Sequence, residues 1–238
     1  MNFINNGLKL CISNIMNVKI ILFLLLFVAE STYSQKIKLD KNNLMPNQVY
    51  MDITKLHGES VVRVVKDPNV KEADEPTFVR ISNTNFKNGI IEVEVLSRLL
   101  PTASSTDRGF IGVAFRINDT NSRFEAIYIR PINGRAEDQV RRNHSIQYFS
   151  FPDYKYERLR KESPEKYESY ADMVLNEWIK MKIEIKGDQA RLFLNKNRQP
   201  SLIVNDLKQG VDISGVVGLF VDVGTEGYFR NLKISPSK

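Results

Sequence analysis

The sequence is poor in the residues that carry covalent and metal chemistry. Of 238 residues one is cysteine, Cys11, and two are histidine, His57 and His144. A lone thiol rules out a disulfide within the chain and a cysteine-built zinc site, and the two histidines stand in unrelated contexts without ligand spacing. There is no Gly-rich phosphate loop, nucleophile elbow, His-Glu-x-x-His motif or dinucleotide fingerprint. An excess of one charge is missing too. Lys and Arg number 34 against 28 Asp and Glu, and a net charge of +6 spread along the chain is not that of a dedicated nucleic-acid binder. No stretch has the Pro, Gly or Ser density of a linker, which argues for one domain. What is present, 42% hydrophobic and 26% charged residues, is the composition of a folded globular chain.

The longest apolar run, Ile20 to Val28, is shorter than the roughly 20 residues a membrane helix needs. Lys9 and Lys19 precede it, and Thr32 and Ser34 occupy the −3 and −1 positions of a cut before Gln35. The pattern reads as a secretory signal over residues 1–34, with Met16 as an alternative start. Residues 35–238 then form one exported domain, periplasmic or extracellular, with no stable membrane anchor once the signal and Cys11 are gone. Lacking disulfides, that domain must rest on its hydrophobic core. Export also argues against nucleic acid as a partner.

From about residue 47 the chain alternates with period two. Ile91, Val93 and Val95 interleave with Glu92 and Glu94, which predicts a strand with one buried face. Ile111, Val113, Phe115 and Ile117 do the same, leaving Gly112, Ala114 and Arg116 on the opposite face. Asp119-Thr120-Asn121 then breaks the chain as a hairpin before Phe124 to Ile129. Ile179 to Ile185 alternates with lysines and Glu184, and Gly187-Asp188 turns the chain into Ala190, Leu192 and Leu194. About a dozen short strands joined by turns argue for a two-layered antiparallel sandwich. Residues 131 to 176 interrupt the pattern as a long insertion, with one short helix predicted to start near Ser163-Pro164-Glu165.

Val216-Val217-Gly218-Leu219, followed by Tyr228-Phe229-Arg230-Asn231-Leu232-Lys233-Ile234, resembles the closing motif of the 3-keto-disaccharide hydrolase-like domain family. Three further segments are similar to that family in order and spacing. They are Phe86 with Gly89 to Val95, Phe115-Arg116 with Phe124-Glu125, and Trp178 to Ile185 with Leu192 to Asn195. The family belongs to the concanavalin A-like lectin/glucanase superfold, shared by laminin G-like domains. The resemblance covers roughly Phe86 to Ile234. It implies an all-β, two-sheet antiparallel jelly-roll sandwich with 131–176 as a partly helical insertion. It also implies carbohydrate as the partner, held in a groove on the outer face of a curved sheet.

On that frame, strand alternation puts Arg116 in the groove, the family match puts Glu125 on the adjacent strand, and Glu94 reaches the same face. An Arg beside two carboxylates can hydrogen-bond sugar hydroxyls, and two carboxylates across a glycosidic bond are the minimal apparatus of its hydrolysis. An ordinary cross-strand ion pair is the competing reading. His144, in Arg141-Arg142-Asn143-His144-Ser145, is the candidate acid/base at the groove mouth. Arg141, Arg142 and Tyr148 are candidate ligand contacts. So is Asp222, which with Phe220 stands where family members often carry His and Gln. The run Arg130, Arg135, Arg141 and Arg142 suits an anionic sugar, or else pins a long loop through carboxylate and carbonyl contacts. No cofactor or catalytic metal is implied. A structural calcium ion, as in the laminin G-like domains, would fall on Asp119 and Asn121. Function therefore stands between a non-catalytic glycan-recognition module and a glycoside-cleaving enzyme using the carboxylate pair.

Overall fold

Period-two alternation becomes antiparallel pairing. In the computed structural model residues 35–237 are described; the signal read over 1–34 lies outside them. Among the described residues fifteen strands follow in order. They are β1 (Gln35–Lys36), β2 (Leu44–Asn47), β3 (Val49–Leu56), β4 (Glu59–Lys66) and β5 (Phe78–Phe86). Next come β6 (Asn88–Leu99), β7 (Ile111–Ile117), β8 (Phe124–Ile129), β9 (Ile146–Phe151) and β10 (Glu168–Ser169). Last are β11 (Ile179–Lys186), β12 (Gln189–Leu194), β13 (Leu202–Val204), β14 (Gly215–Val221) and β15 (Thr225–Ser237). Sheet 1 runs β13-β12-β11-β6-β15-β4-β3, with β1 added along β15; sheet 2 runs β10-β9-β8-β7-β14-β5-β2. No helix among the described residues is long and apolar enough to cross a membrane.

Register decides what each face carries. In sheet 1, Val95 pairs Ile179 and Phe229, Val93 pairs Met181, and Ile91 pairs Ile183, so these residues share the buried face. Glu94 and Glu92 pair with Lys180 and Lys182 on the other face, as the alternation predicts. In sheet 2, Val113 pairs Ile127 and Leu219, and Ile111 pairs Ile129 and Val221. These inner faces meet. A Cβ on Gly227 of β15 would lie 2.6 Å from Val221 Cγ1 and 3.1 Å from Ile111 Cδ1, so only a glycine lets the two layers approach there. The resulting core is continuous. Each fully buried Val, Leu, Ile or Phe adds about 1.5–3 kcal/mol relative to exposure.

The outer face of sheet 2 is also apolar. Phe78, Phe124, Phe149, Phe220 and Tyr128 are buried there and interlock through edge-on and tilted ring contacts at 5.1–5.8 Å.

The alternation of β7 fails at one position. Between Val216 and Gly218 the pairing to β7 skips from Ile117 to Ala114, three residues against two, so β7 carries an extra residue. Arg116 sits in this bulge with φ at 54°, a left-handed conformation that side chains other than those of Gly and Asn adopt at a cost. The bulge reverses the expected faces. Arg116 turns inward, and Ile117 turns outward, its Cδ1 lying 2.8 Å from a Cβ built on Gly218.

The segment 131–176 is less of a loop than its sequence suggests. Gln147-Tyr148-Phe149 lies in β9, an interior strand of sheet 2 paired to both β8 and β10. It is covered on both faces and so shows no alternation. Pro131–Arg135 form a 3-10 turn, and Gln139–Asn143 form helix α1, whose first turn is capped by Asp138 accepting the Arg141 N–H at 2.8 Å. The helix expected to start near Ser163-Pro164 instead ends there. Helix α2 spans Tyr156–Glu162, and Pro164 disfavours a helical residue before it. The start of α2 is held by Asp74, whose Oδ2 accepts the Tyr156 N–H at 2.8 Å.

Candidate functional site

The residue expected at the centre of the groove is sealed inside the protein. Arg116 and Glu125 form an ion pair at 3.2 Å, and neither side chain is exposed. The Arg116 guanidinium donates to the main-chain carbonyls of Lys87 (3.0 and 2.9 Å), Gly187 (2.7 Å) and Gly210 (3.2 Å). Glu125 shares the inner face with Val113 and Ile127. Its Oε1 accepts the Tyr148 hydroxyl at 2.7 Å, and that hydroxyl accepts the Lys208 N–H at 2.8 Å. Burial pushes the Glu125 carboxyl above its ordinary range, opposed by Tyr148 and Arg116. Arg116, Glu125 and Tyr148 are therefore a buried network that ties sheet 2 to the turns of sheet 1. The expectation that they line an open groove is corrected, and the bulge at Arg116 is the cause.

Glu94 does not join them. It lies on the outer face of sheet 1, where its Oε2 accepts Arg230 Nε at 2.7 Å. Glu94 and Glu125 thus belong to different sheets and face away from each other, and the expected pair does not flank a shared pocket. Arg230 also lies over the ring of Trp178 at 4.0 Å. Asp119 and Asn121 do not converge on a cation site either. The Asn121 oxygen accepts Arg80 Nη1 at 2.6 Å while the Asp119 side chain points into solvent. Among the described residues no group of three or more His, Cys, Asp and Glu could hold a metal ion.

Three other candidates do come together. Arg141, His144 and Asp222 line one pocket of about 320 Å³. Register builds its floor: Tyr128 pairs Gly112 and Gln147 on the outer face of sheet 2, Arg130 follows two residues on, and Asp222 follows Phe220 by the same step. Arg108 and Phe110 enter from the segment before β7, Asn133 from the 3-10 turn, and Tyr156 and Arg160 from α2. Phe110, Tyr156, Arg108 and His144 are half-buried, and Arg141 is exposed. Arg142 lies outside, over the ring of Tyr170 at 5.7 Å, and Arg135 pairs with Asp172 on the surface at 2.7 Å.

The floor is held rigid by its own bonds. Arg130 donates to Glu168 (3.0 Å), the His144 carbonyl (2.9 Å), the Tyr128 hydroxyl (2.8 Å) and Gln147 (3.1 Å). Glu168 also binds Arg160, and although burial opposes it, the two guanidinium groups keep its carboxyl below the ordinary range. Asp222 accepts Lys66 Nζ (2.6 Å), the Asp74 N–H (2.9 Å) and the Val223 N–H (2.8 Å), which engages both of its oxygens. Behind it Asp74 is wholly buried. Loss of water, then the neighbouring Asp222 carboxylate, raises it to about 7. Burial, opposed by the Glu168 carboxylate, lowers His144 and favours its neutral imidazole.

Sequence reasoning missed Arg108, Phe110, Tyr128, Asn133 and Arg160. Tyr128 and Arg130 carry a signal, two residues apart and so on one face of β8. The others reach the pocket from separate loops, and no local spacing marks them.

No family model matches the chain, and no curated protein matches it. Solved structures match at the level of fold. A protein from Parabacteroides distasonis classed provisionally as a glycosyl hydrolase aligns with a TM-score of 0.54 and 14% identity, over 86% of this chain and 99% of that one. The carbohydrate-binding module CBM66 from Bacillus subtilis aligns with a TM-score of 0.50 and 14% identity, over 80% of this chain and 97% of that one. A Bacillus subtilis protein of unknown function with a galectin-like fold aligns with a TM-score of 0.50 and 10% identity, over 79% and 87%. The resemblance to the 3-keto-disaccharide hydrolase-like family is not matched by these comparisons, which support the fold alone. The chain has the two-sheet antiparallel jelly-roll architecture of carbohydrate-binding modules and galectin-like proteins.

Proposed function

We propose that the chain is an exported carbohydrate-binding β-sandwich whose ligand occupies the pocket on the outer face of sheet 2. One observation carries this reading: that pocket gathers two half-buried aromatic rings, Phe110 and Tyr156, with Arg108, Arg141 and His144 around them. Aromatic faces suit the apolar faces of sugar rings, and guanidinium and imidazole groups suit their hydroxyls. The fold supports the class, since sandwiches of this architecture include a carbohydrate-binding module. The signal pattern over residues 1–34 supports a periplasmic or extracellular site of action, and N-terminal sequencing of the exported product should begin at Gln35.

The glycoside-cleaving alternative has less support. It needs two carboxylates about 5–10 Å apart across the bond. Glu94 and Glu125 lie on different sheets; the two carboxylates that do line the pocket are both engaged, Asp222 by Lys66 and two main-chain donors and Asp107 by the Ser104 N–H.

A glycan array tests the proposal. The full chain should retain at least one glycan class, Arg141→Ala should weaken retention about tenfold, and Lys180→Ala on the outer face of sheet 1 should leave it intact. No retained glycan overturns carbohydrate binding; full retention by Arg141→Ala overturns the assignment to this pocket.

A further inference from the structure

We infer that the sugar held in this pocket is acidic, a glycosyl unit whose carboxylate or sulfate lies between Arg108 and Arg141. The inference rests on the carbohydrate reading and adds the chemical class of the ligand. Its basis is an imbalance of charge that the protein does not close with its own groups. Around the floor, Arg130 and Arg160 share Glu168, and Lys66 takes Asp222. Arg108 and Arg141 stand at the walls, and among the described residues neither makes an ion pair.

The Arg108 guanidinium is turned onto the main-chain carbonyls of Ser105 (2.6 Å) and Asp107 (3.0 Å), which hold its position without cancelling its charge. Asp107 offsets part of the excess, although its own Oδ2 is turned to the Ser104 N–H at 2.6 Å. The Arg141 guanidinium makes no hydrogen bond among the described residues; only its main-chain N–H is engaged, at the start of α1. Burial lowers Arg108 from the ordinary arginine range first, and the positive charges of Arg141 and Arg130 lower it further. Like charges converge on a half-buried space, and an anion there would be attracted by all of them at once. The guanidinium fork matches the oxygens of a carboxylate or sulfate, each charge-assisted bond being roughly twice as strong as a neutral one.

The structure also distinguishes Arg141 from the rest of the basic run: Arg130, on the pocket floor, is paired with Glu168. Arg135 is closed by Asp172, and Arg142 lies against Tyr170 outside the pocket. The anion site is therefore made of one member of that run, Arg141, and one residue far from it in sequence, Arg108.

The test is calorimetric titration of the full chain with three oligosaccharides of matched linkage: one with a uronic acid unit, one sulfated and one neutral. At least one acidic ligand should bind tenfold or more tightly than the neutral one, with the preference shrinking as salt is raised. Arg108→Ala and Arg141→Ala should each narrow that preference about tenfold. Thermal unfolding of Arg141→Ala should match the parent, because that side chain makes no bond the fold needs. Which acidic arm binds identifies the oxyanion. Equal or tighter binding of the neutral ligand overturns the inference while leaving carbohydrate binding in place. Absence of binding by all three ligands and by every glycan on the array overturns both.

Discussion

The guanidinium of Arg116 and the carboxylate of Glu125 meet at 3.2 Å with no solvent access to either. The contact joins β7 to β8 within sheet 2. The remaining Arg116 donors reach three carbonyls: Lys87, between β5 of sheet 2 and β6 of sheet 1, Gly187, in the β11–β12 turn of sheet 1, and Gly210, in the segment leading to β14. One side chain thus closes one end of the sandwich. Its charge is tolerated because nearly every polar atom around it is paired.

Breaking that pair should be costly. Arg116→Met leaves a buried carboxylate uncompensated and three carbonyls without their donor, and the loss expected in urea unfolding is about 3–5 kcal/mol. Glu125→Gln should cost less, since an amide oxygen still accepts from Tyr148 and Gln209. While folded, Glu125→Gln should retain glycan like the parent. A loss under about 1 kcal/mol for Arg116→Met, as for surface pairs, would contradict this role.

Asp74 makes stability depend on pH in a defined direction. Its folded-state value of about 7 stands above the ordinary aspartate value of 3.8, so the folded protein favours the protonated form. That contribution is complete below about 3.8 and is lost as pH rises through about 7, with a slope of up to about 1.4 kcal/mol per pH unit. His144, whose value is lowered, acts with the opposite sign but is common to both proteins compared. Asp74→Asn should therefore gain on the parent between pH 4 and 7 and level off above. Parallel unfolding curves across that range would show that Asp74 ionises normally.

How far the sequence reveals this depends on what each face meets. The β6 and β11 segments are legible because Glu92, Glu94, Lys180 and Lys182 face solvent while Ile91, Val93, Met181 and Ile183 face the core. β7 is legible up to Phe115 and misleading beyond it, because nothing local announces that Arg116 adopts a left-handed conformation. β9 is hidden for a different reason: its outer face packs into the aromatic cluster, so Tyr148 and Phe149 are both buried. Pro164 reads equally well as the start or the stop of a helix, and here it stops one. In the site, Arg141, His144 and Asp222 are visible one at a time. Arg108 and Arg160 become partners only through tertiary folding.

Gly134 positions the wall that carries Arg141 and His144. A Cβ there would lie 2.4 Å from the Met173 carbonyl oxygen and 2.6 Å from its nitrogen, both main-chain atoms that cannot yield cheaply. Gly134→Ala should lower the thermal midpoint and weaken glycan binding, although Gly134 is not part of the pocket lining. Unchanged affinity would show that the wall tolerates displacement.

Asp138 supports the same wall from the other side. Removing its cap on the Arg141 N–H with Asp138→Ala should cost about 1 kcal/mol in helix stability. Loosening α1 should speed dissociation of the glycan, measured by surface plasmon resonance, with little effect on association. An unaltered dissociation rate would remove α1 from the binding account.

The most direct measurement is a titration of the isotopically labelled full chain with the glycan retained on the array, followed through backbone amide shifts. The account predicts saturable shifts at Arg108, Phe110, Asn133, Arg141 and His144, with Glu94, Lys180 and Lys233 silent. Shifts confined to the outer face of sheet 1, or none at saturating glycan, would contradict it.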